Sequence, residues 1–495
     1  MKQISLVLLS MLFLFIQDVV SQDWYELQKL PGLYEDMSFG ESVCISGDYA
    51  IVGASCRHSE KGRAFVYHFN DTIWELQGVL TTLDDEPNAF GLSVDMSGDC
   101  IVVGDICYDD NGDCRVAYVF VKPEGGWTDM TETAKLTASY NPLNDNFGFS
   151  VGISGDCVVV GAYGDNWNGI FTGAAYVYEK PDGGWIDMTE TARITASDGE
   201  GGDFFGRTVS IYNEYIAIGV PRDRENGYNS GSVYIYKKPE NGWENMTETC
   251  ILTPTDGITD DEFGASVKIE NNIIVVGAEV ENWYGAAYVF EKTENSEWID
   301  AIQTAKLRPT TGYTISNFGC SVDISGDQII IGASGRSSNN STGAAFIYDK
   351  PLYGWENMTE TALVHPTDGS IKDYFGRAVG ITDGHVIIGS VGDDDNGLRS
   401  GAVYFYSNEE TSDVTEIAYQ DLLLVPNPAK DSFIISSNIQ KSVWIQILNS
   451  SGQEVLRKEV KLNNNRIEVS HLNSGIYFIR INIDNQTYIK KLIKY

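Results

Sequence analysis

Histidine, basic residues and long apolar segments are all scarce in this chain of 495 residues. Five histidines occur, with no HExxH, Walker or CxxC pattern, so the motifs of zinc hydrolases, P-loop nucleotide binders and thiol oxidoreductases are missing. Lys and Arg number 34 against 70 Asp and Glu. The net charge of −36 argues against nucleic acid or an anionic membrane as a partner. Beyond the N-terminus no segment stays apolar over the about 20 residues that a transmembrane helix needs.

Glycine, in contrast, is abundant, with 50 residues, and it recurs within a repeated unit. Each unit has an FG pair that opens a short strand, a second strand such as CVVVGA, a polar loop, and a third strand such as GAAYVY. A strand-built period of this length predicts a propeller or an array of blades. The seven copies lie 51 to 58 residues apart and begin at Phe39, Phe90, Phe147, Phe205, Phe263, Phe318 and Phe375.

A fourth segment, which starts at a tryptophan, completes each unit. Four strands make one propeller blade, so the sequence predicts an all-β, seven-bladed β-propeller over residues 22–407. The first tryptophan segment, Trp24–Leu30, has no FG strand before it, and no tryptophan segment follows the third strand Ala402–Tyr406. We therefore expect Trp24–Leu30 to close the blade begun at Phe375, which removes open sheet edges. The later copies begin at Trp74, Trp127, Trp185, Trp243, Trp298 and Trp355.

Both ends of the chain differ from the repeats. Residues 1–21 have Lys2, the apolar run Ile4–Ile16 and a small-residue site at Val19–Ser21, the order of a secretory signal peptide. Residues 408–418 are polar and acidic, as is typical of a linker. Residues 419–495 carry a charge of +4, against −40 on the residues before them. Their short alternating strands predict a small antiparallel β-sandwich.

The repeated unit FGxSVxISGDxIVVGA…GAAYVY resembles the FG-GAP repeat of integrin α-subunit propellers and of many bacterial surface proteins. The resemblance implies a seven-bladed propeller that serves adhesion or ligand binding. Several integrin repeats hold calcium in a DxDxDG-type loop between the first two strands. Here that connection is only SGD, as in Ser46–Asp48 and Ser154–Asp156, so no calcium site is carried over to it.

Four segments after residue 419 resemble, in their order, the C-terminal sorting domain of the type IX secretion system of Bacteroidetes. The resemblance implies passage through the outer membrane, followed by removal of the tail and by release or surface attachment. It therefore implies the secretion machinery as a partner and a secreted or outer-surface location. The segments are VPNPAKDSFIIS (Val425–Ser436), ILNSSGQEV (Ile447–Val455), LNSGIYFIRI (Leu472–Ile481) and YIKKLIKY (Tyr488–Tyr495).

The loops between the second and third strands are the most polar segments of the repeats. In GDDDNG (Gly392–Gly397) the oxygen-rich side chains alternate in the manner that calcium prefers. An Asx or glycine turn is the alternative interpretation, because Asp-Asn-Gly is common turn chemistry. The Asp-Gly segments before some FG pairs, such as SDGEGGDFFG (Ser197–Gly206), leave the same two alternatives. The candidate calcium ligands are Asp393, Asp395, Asn396, Asp109, Asn111, Asp113 and Asp165.

The eight cysteines all lie in the repeats, and an exported protein can form disulfides. Cys107 and Cys114 flank one loop and are the best candidate pair. For most of the others, burial as a small apolar side chain is the alternative.

Three aromatic residues in the second-to-third loops, Trp167, Trp283 and Tyr284, do not repeat between units. They could stack on sugars or pack within their loops. The leading hypothesis is a non-enzymatic propeller that binds an extracellular protein or glycan through the loops at one end. A glycan hydrolase or lyase is the alternative, and it requires non-repeating polar residues on the propeller axis. A purely structural surface layer is a third possibility.

Overall fold

The structure is a computed structural model that describes two parts of the chain. The first is residues 24–408, with gaps at 57–60, 85–88, 107–115, 141–144, 167–168, 294–295, 311–315 and 337–340. The second is residues 423–494, with gaps at 426–428, 437–441, 450–453, 463–465 and 484–485. The predicted signal peptide and linker residues 409–418 lie outside the described residues. The chain divides into two compact units, residues 1–408 and 409–495.

None of the helices formed by the described residues is long and apolar enough to cross a membrane.

The strands of the first unit are numbered here in chain order. The first half has β1 (Tyr25–Pro31), β2 (Phe39–Ser46), β3 (Tyr49–Ala54), β4 (Arg63–Phe69), β5 (Trp74–Thr81), β6 (Ser93–Ser97), β7 (Cys100–Asp105), β8 (Val116–Val121), β9 (Met130–Thr131), β10 (Ala134–Thr137), β11 (Phe147–Ser154), β12 (Cys157–Ala162), β13 (Ala174–Glu179), β14 (Met188–Thr189) and β15 (Ala192–Ile194). The second half has β16 (Thr208–Tyr212), β17 (Tyr215–Val220), β18 (Ser232–Lys237), β19 (Cys250–Leu252), β20 (Phe263–Glu270), β21 (Ile273–Ala278), β22 (Ala286–Glu291), β23 (Ile302–Leu307), β24 (Phe318–Ser325), β25 (Gln328–Ala333), β26 (Ala344–Asp349), β27 (Ala362–Val364), β28 (Phe375–Thr382), β29 (His385–Ser390) and β30 (Ala402–Ser407). Two 3₁₀ helices cover Glu281–Trp283 and Trp298–Asp300.

Within the described part of residues 24–408 these strands form seven sheets, which we number as blades 1 to 7 by the FG pair that opens each. The strand orders are β2-β3-β4-β5-β9, β6-β7-β8-β10-β14, β11-β12-β13-β15, β16-β17-β18-β19, β20-β21-β22-β23, β24-β25-β26-β27 and β28-β29-β30-β1. Blade 7 thus takes its outer strand from the N-terminus, with Lys29 opposite Tyr404 and Pro31 opposite Ala402.

The blades form a closed ring around their first strands. Each first strand contacts the first strand of the next blade, and β28 of blade 7 contacts β2 of blade 1. A parallel bridge between Phe39 and Gly401 joins the same two blades. The hydrophobic cores lie between neighbouring blades, as where Val233 and Ile235 of blade 4 pack with Phe263 and Ile274 of blade 5. Sheets covered on both faces explain why the second strands are apolar nearly throughout.

Glycine sets the distance between neighbouring blades. The next-to-last residue of each IVVGA-like strand is a glycine that faces the carbonyl of the FG glycine in the next blade. A Cβ on Gly277 would lie 2.0 Å from the Gly319 carbonyl oxygen, and one on Gly161 would lie 2.1 Å from that of Gly206. A side chain of any size therefore cannot be accommodated without moving the blades apart.

A hydroxyl in the first strand ties most blades to the next. The serine or threonine of FGxSV donates to the carbonyl of the next FG glycine, as from Ser266 to Gly319 at 2.8 Å and from Ser321 to Gly376 at 3.0 Å. The same bond links Ser42, Ser93, Ser150 and Thr208 to the following blade. Blade 7 has Ala378 at this position, 3.5 Å from the site of a Cβ on Gly389.

Replacing Ala378 by serine is expected to stabilise the propeller. The new hydroxyl would donate to the Gly40 carbonyl and supply the bond that the junction of blades 7 and 1 lacks. We expect a gain of about 0.5–1.5 kcal/mol in the free energy of unfolding, the usual net value of one hydrogen bond, measured by urea denaturation. Ser266→Ala should lose a similar amount, and an unchanged midpoint in both variants would contradict the role assigned to this hydroxyl.

The tryptophan segments differ in part from the expected fourth strands. β5 does begin at Trp74, but Trp127 and Trp185 are buried before the outer strands β10 and β15 begin. The intervening DMTET or NMTET residues bind the previous blade instead. Leu136 pairs in parallel with Met188, and the side chain of Asn245 accepts the Arg193 N–H at 2.8 Å. Where DMTET or NMTET follows the tryptophan, these residues therefore bond one blade to the blade before it.

The second unit is a separate β-structure with its own core. Its described strands are β31 (Leu423–Val425), β32 (Ser432–Ser436), β33 (Ser442–Leu448), β34 (Glu454–Lys461), β35 (Ile467–Glu468), β36 (Gly475–Ile483) and β37 (Gln486–Lys494). They form two sheets among the described residues, β31-β32-β35 and β34-β33-β36-β37, with antiparallel neighbours. Phe433, Ile445 and Ile479 belong to the buried core between them.

Candidate functional site

Two ends of the propeller are distinguished by the strand directions. At one end the second strands finish and the third strands begin, as at Ala162 and Ala174. Because first and second strands are antiparallel, the FG pairs lie at this end too. We call it the loop face, and the opposite end, which carries the SGD turns and the connections from third to fourth strands, the turn face. The polar loops that the sequence singles out are therefore gathered on the loop face.

An ammonium group occupies the acidic loop of blade 7. Lys29 of the N-terminal strand places its Nζ 2.7 Å from Asp368, 2.9 Å from Asp393 and 2.7 Å from Asp395. The Tyr404 hydroxyl donates to Asp368 at 2.8 Å. Asp393 is only 2% exposed, so Lys29 neutralises a carboxylate that water barely reaches.

The pKa values in this cluster reflect the pairing. Burial opposes the charge of Lys29, but hydrogen bonds with Asp368, Asp395 and Asp393 outweigh it and raise the pKa of the lysine well above its usual value. Burial likewise opposes ionisation of Asp368, yet the bonds from Lys29 and Tyr404 lower its pKa. Both shifts favour the charged pair at neutral pH.

Blades 3 and 5 repeat this arrangement with other residues. Asp165, which is fully buried, lies 2.8 Å from the Arg193 guanidinium. Glu281 lies 3.1 Å from Lys306 and 2.6 Å from Arg308. Arg193 and Lys306 come from the outer strand of the same blade, and Arg308 directly follows that strand.

Three of the four candidate calcium residues that the structure describes form ion pairs. Asp165, Asp393 and Asp395 bind side-chain cations, and the Asn396 amide donates to the Gly32 carbonyl at 2.8 Å. In the part of the chain that the structure describes, no group of three or more His, Cys, Asp or Glu could hold a metal ion. Calcium binding stays a prediction, for which chelation is the test. Asp109, Asn111 and Asp113 lie outside the described residues.

Blade 4 has the acids without the outer-strand cation. Asp223 stands where blade 7 has Asp393, and Tyr234 donates to both Asp198, at 2.8 Å, and Asp223, at 3.3 Å. The residue opposite Tyr234 is Ile251, whereas Lys29 stands opposite Tyr404. Burial and the charges of Asp223 and Asp198 raise the pKa of Glu225.

The Asp-Gly segments before the FG pairs form turns. The second aspartate accepts a backbone N–H three residues earlier, as Asp203 does from Glu200 at 2.6 Å and Asp261 from Ile258 at 2.8 Å. Such a bond is the usual role of aspartate in a turn. Burial raises the pKa of Asp203 and of Asp373 to about 6. The turn alternative therefore describes the local structure of these segments.

Exposed aromatic side chains stand on the same loops. Trp283 is 86% exposed and Tyr228 is 60% exposed. Trp283 also has a positive φ of 70°, and the matching loop residues Phe171 (56°), Asn229 (52°) and Arg399 (54°) share that conformation. Tyr284 is 38% exposed. The loop backbone thus repeats while its side chains differ, and Trp167 lies outside the described residues.

Cys107 and Cys114, the candidate disulfide pair, also lie outside the described residues. Five of the cysteines that the structure describes are free thiols: Cys44, Cys100, Cys157, Cys250 and Cys320. The sulfur of Cys56 lies 3.6 Å from the Tyr34 hydroxyl.

Two features of the site were not predicted from the sequence, namely the cations of the outer strands and the variable third position of FGxSV. The outer-strand cations are single Lys or Arg residues, and only their alignment between repeats would have marked them. The third position of FGxSV varies between blades and, except in blade 2, faces the opening at the propeller axis. Its occupants are Glu41, Leu92, Phe149, Arg207, Ala265, Cys320 and Arg377. An alignment of the repeats in the sequence would have shown this variation.

Comparison with known families identifies both units. The FG-GAP repeat model matches six times, at residues 74–120, 130–178, 188–236, 246–290, 302–348 and 358–406. The model of the secretion system C-terminal sorting domain matches residues 424–495. No curated protein matches the chain significantly.

Among solved structures, a Bacteroides uniformis protein provisionally described as a 6-phosphogluconolactonase is similar, with a TM-score of 0.40 and 11% sequence identity. The match covers 67% of this chain and 85% of that chain. A likeness at this TM-score supports no statement about function.

Proposed function

Because the chain belongs to the FG-GAP repeat family, we propose that its propeller binds an extracellular protein or glycan through the loop face, without catalysing a reaction on it. The type IX sorting domain directs the protein to the outer cell surface or the extracellular space. A partner would therefore be met outside the cell. The strongly acidic composition favours a partner other than nucleic acid.

The observation that carries this proposal is the pair of exposed aromatics on the loop face. Trp283 at 86% and Tyr228 at 60% exposure have no core to fill. Large aromatic side chains supply much of the energy of binding interfaces. Trp283 is held next to Glu281, whose carboxylate is fixed by Lys306 and Arg308. An anchored loop loses little conformational entropy on binding.

Removal of these aromatics is expected to weaken binding. The full chain would be tested on arrays of polysaccharides and extracellular proteins, and then as Trp283→Ala and Tyr228→Ala. We expect about a tenfold or larger loss of affinity from at least one variant, because truncation of a central interface aromatic commonly costs more than 1 kcal/mol. Tyr353, 98% exposed on the turn face, provides the matched control.

Three outcomes would count against parts of the proposal. Equal weakening by Tyr353→Ala would remove the assignment to the loop face. Release of products in the same wells would favour the alternative, a glycan hydrolase or lyase. A lack of both binding and product release in every well would favour a structural surface layer. A chelator arm tests calcium, since loss of binding with EGTA and recovery with added calcium would support that cofactor.

A further inference from the structure

A cavity of about 350 Å³ lies on the axis of the propeller, at the end where the first strands begin. Its wall is built mainly from the third to fifth residues of the FGxSV segments, with additions from the loops. The volume falls within the roughly 300–1,000 Å³ typical of small-molecule sites. The repeat brings seven backbones together here, while the side chains at the third position differ.

Three arginines line this cavity in a strongly acidic protein: Arg207, Arg336 and Arg377. None of them forms an ion pair with a carboxylate among the described residues. Burial, together with the Arg377 charge, lowers the pKa of Arg207, and the nearby charges of Tyr163, Glu279 and Glu262 offset only part of that shift. Guanidinium groups that face a cavity and form no ion pair with a described carboxylate are suited to bind the carboxylate of a ligand.

Aromatic rings hold one of these guanidinium groups in place. The Cζ of Arg207 lies 4.1 Å from the centre of the Phe149 ring and 5.3 Å from that of Tyr163. The two rings pack edge to face at 4.8 Å. Stacking of this kind orients the planar fork without using its N–H donors. Those donors stay available to a bound group.

The cavity also contains acceptors suited to hydroxyl groups. Glu41 accepts the Ser55 hydroxyl at 2.5 Å, and Glu279 is bound by the Asn317 amide at 3.3 Å. A carboxylate offers about four acceptor sites and can accept from more than one donor at a time. Arginines beside carboxylates match a ligand that carries both an acid group and several hydroxyls. An acidic peptide side chain would bring a carboxylate for the arginines but no hydroxyl for these acceptors, which disfavours it.

We propose that the axial cavity binds a uronate unit of an acidic polysaccharide, with its carboxylate at Arg207 and Arg377 and its hydroxyls at Glu41 and Glu279. This inference rests on the proposed binding function and names its ligand class. The rim aromatics would then contact the neighbouring sugar units, and the axial cavity would select the acidic one.

The test uses the full chain with matched oligosaccharides that differ only in the acid group. Oligomers of galacturonate, glucuronate and mannuronate would be compared with galactose, glucose and mannose oligomers by calorimetry. We expect binding of at least one uronate and at least tenfold weaker binding of its neutral counterpart. Arg207→Gln and Arg377→Gln should each weaken uronate binding at least tenfold. Arg207→Lys, which keeps the charge and loses the fork, should restore only part of it.

Arg399→Gln is the control, since Arg399 is an exposed arginine of the loop face outside the cavity. Thermal melting of each variant separates lost binding from lost folding. Uronate binding that Arg207→Gln and Arg377→Gln leave unchanged would overturn the proposal, as would equal binding of neutral oligomers, a preference for sulfated oligomers, or no binding of any uronate. The proposed function would survive those results if Trp283→Ala still abolished capture of another glycan or a protein.

Discussion

Replacement of Gly277 by alanine is expected to destabilise the propeller by about 3 kcal/mol or more, at the upper end of what an overpacked core costs. The new Cβ would lie 2.0 Å from the Gly319 carbonyl oxygen and 2.4 Å from the Ser266 hydroxyl. Both neighbours are held, since Ser266 donates to that carbonyl and Gly319 is fixed at a φ of +88°. Neither can move unless blades 5 and 6 separate. Urea denaturation of the full chain, followed by tryptophan fluorescence, would measure the loss.

Two variants make this result interpretable. Gly125→Ala places a Cβ that meets no heavy atom within 4 Å, so its midpoint should match that of the parent chain. Ser266→Ala combined with Gly277→Ala should recover only part of the loss, because the carbonyl clash remains. A Gly277→Ala chain as stable as Gly125→Ala would show that blade spacing does not depend on this contact.

The same close contacts explain why the fold could be predicted from the sequence. A glycine that must face a neighbouring backbone recurs in every unit, and so do the FG pair and the second strand. The role of the N-terminal strand could be predicted because the last repeat lacks a fourth strand and the chain begins with one fourth strand too many. Trp24–Leu30 precedes the first FG pair, and β1 pairs with β30. Each of these features belongs to all the repeats and therefore stands out in a single chain.

The candidate site was less predictable because its residues differ between repeats. Oxygen-rich loops are equally compatible with calcium and with a lysine ammonium, and Lys29 reaches Asp393 from 364 residues away in sequence. Nothing local to either residue signals that pair. Two of the three axial arginines, Arg207 and Arg377, fall at the third position of the FGxSV strand, where the repeat pattern imposes no residue type. The residues that distinguish the chemistry of this protein therefore lie at positions where the repeat does not constrain the residue type.

Replacement of Lys29 by methionine is expected to cost about 3 kcal/mol at neutral pH, near the lower end of values for breaking one partner of a buried ion pair. Methionine keeps most of the apolar stem but removes the ammonium from Asp368, Asp393 and Asp395. The carboxylate of Asp393, 2% exposed, would then keep only neutral donors such as Tyr404. Chemical denaturation would show a lower midpoint.

The pH dependence separates this electrostatic loss from a packing defect. Asp368 has a lowered pKa, so its stabilising contribution is present above the unfolded pKa of 3.8 and is lost as pH falls through the folded value. Lys29 has a raised pKa, so its contribution is complete below 10.5 and is lost only at more alkaline pH. The penalty of Lys29→Met should therefore be largest between about pH 5 and 10 and should shrink below pH 4, where the freed carboxylates protonate. Lys180→Met, which removes an exposed pair with Asp156, should leave the midpoint unchanged. A penalty for Lys29→Met that stays constant down to pH 3 would identify lost packing of the closing strand, and not the stranded carboxylates, as its cause.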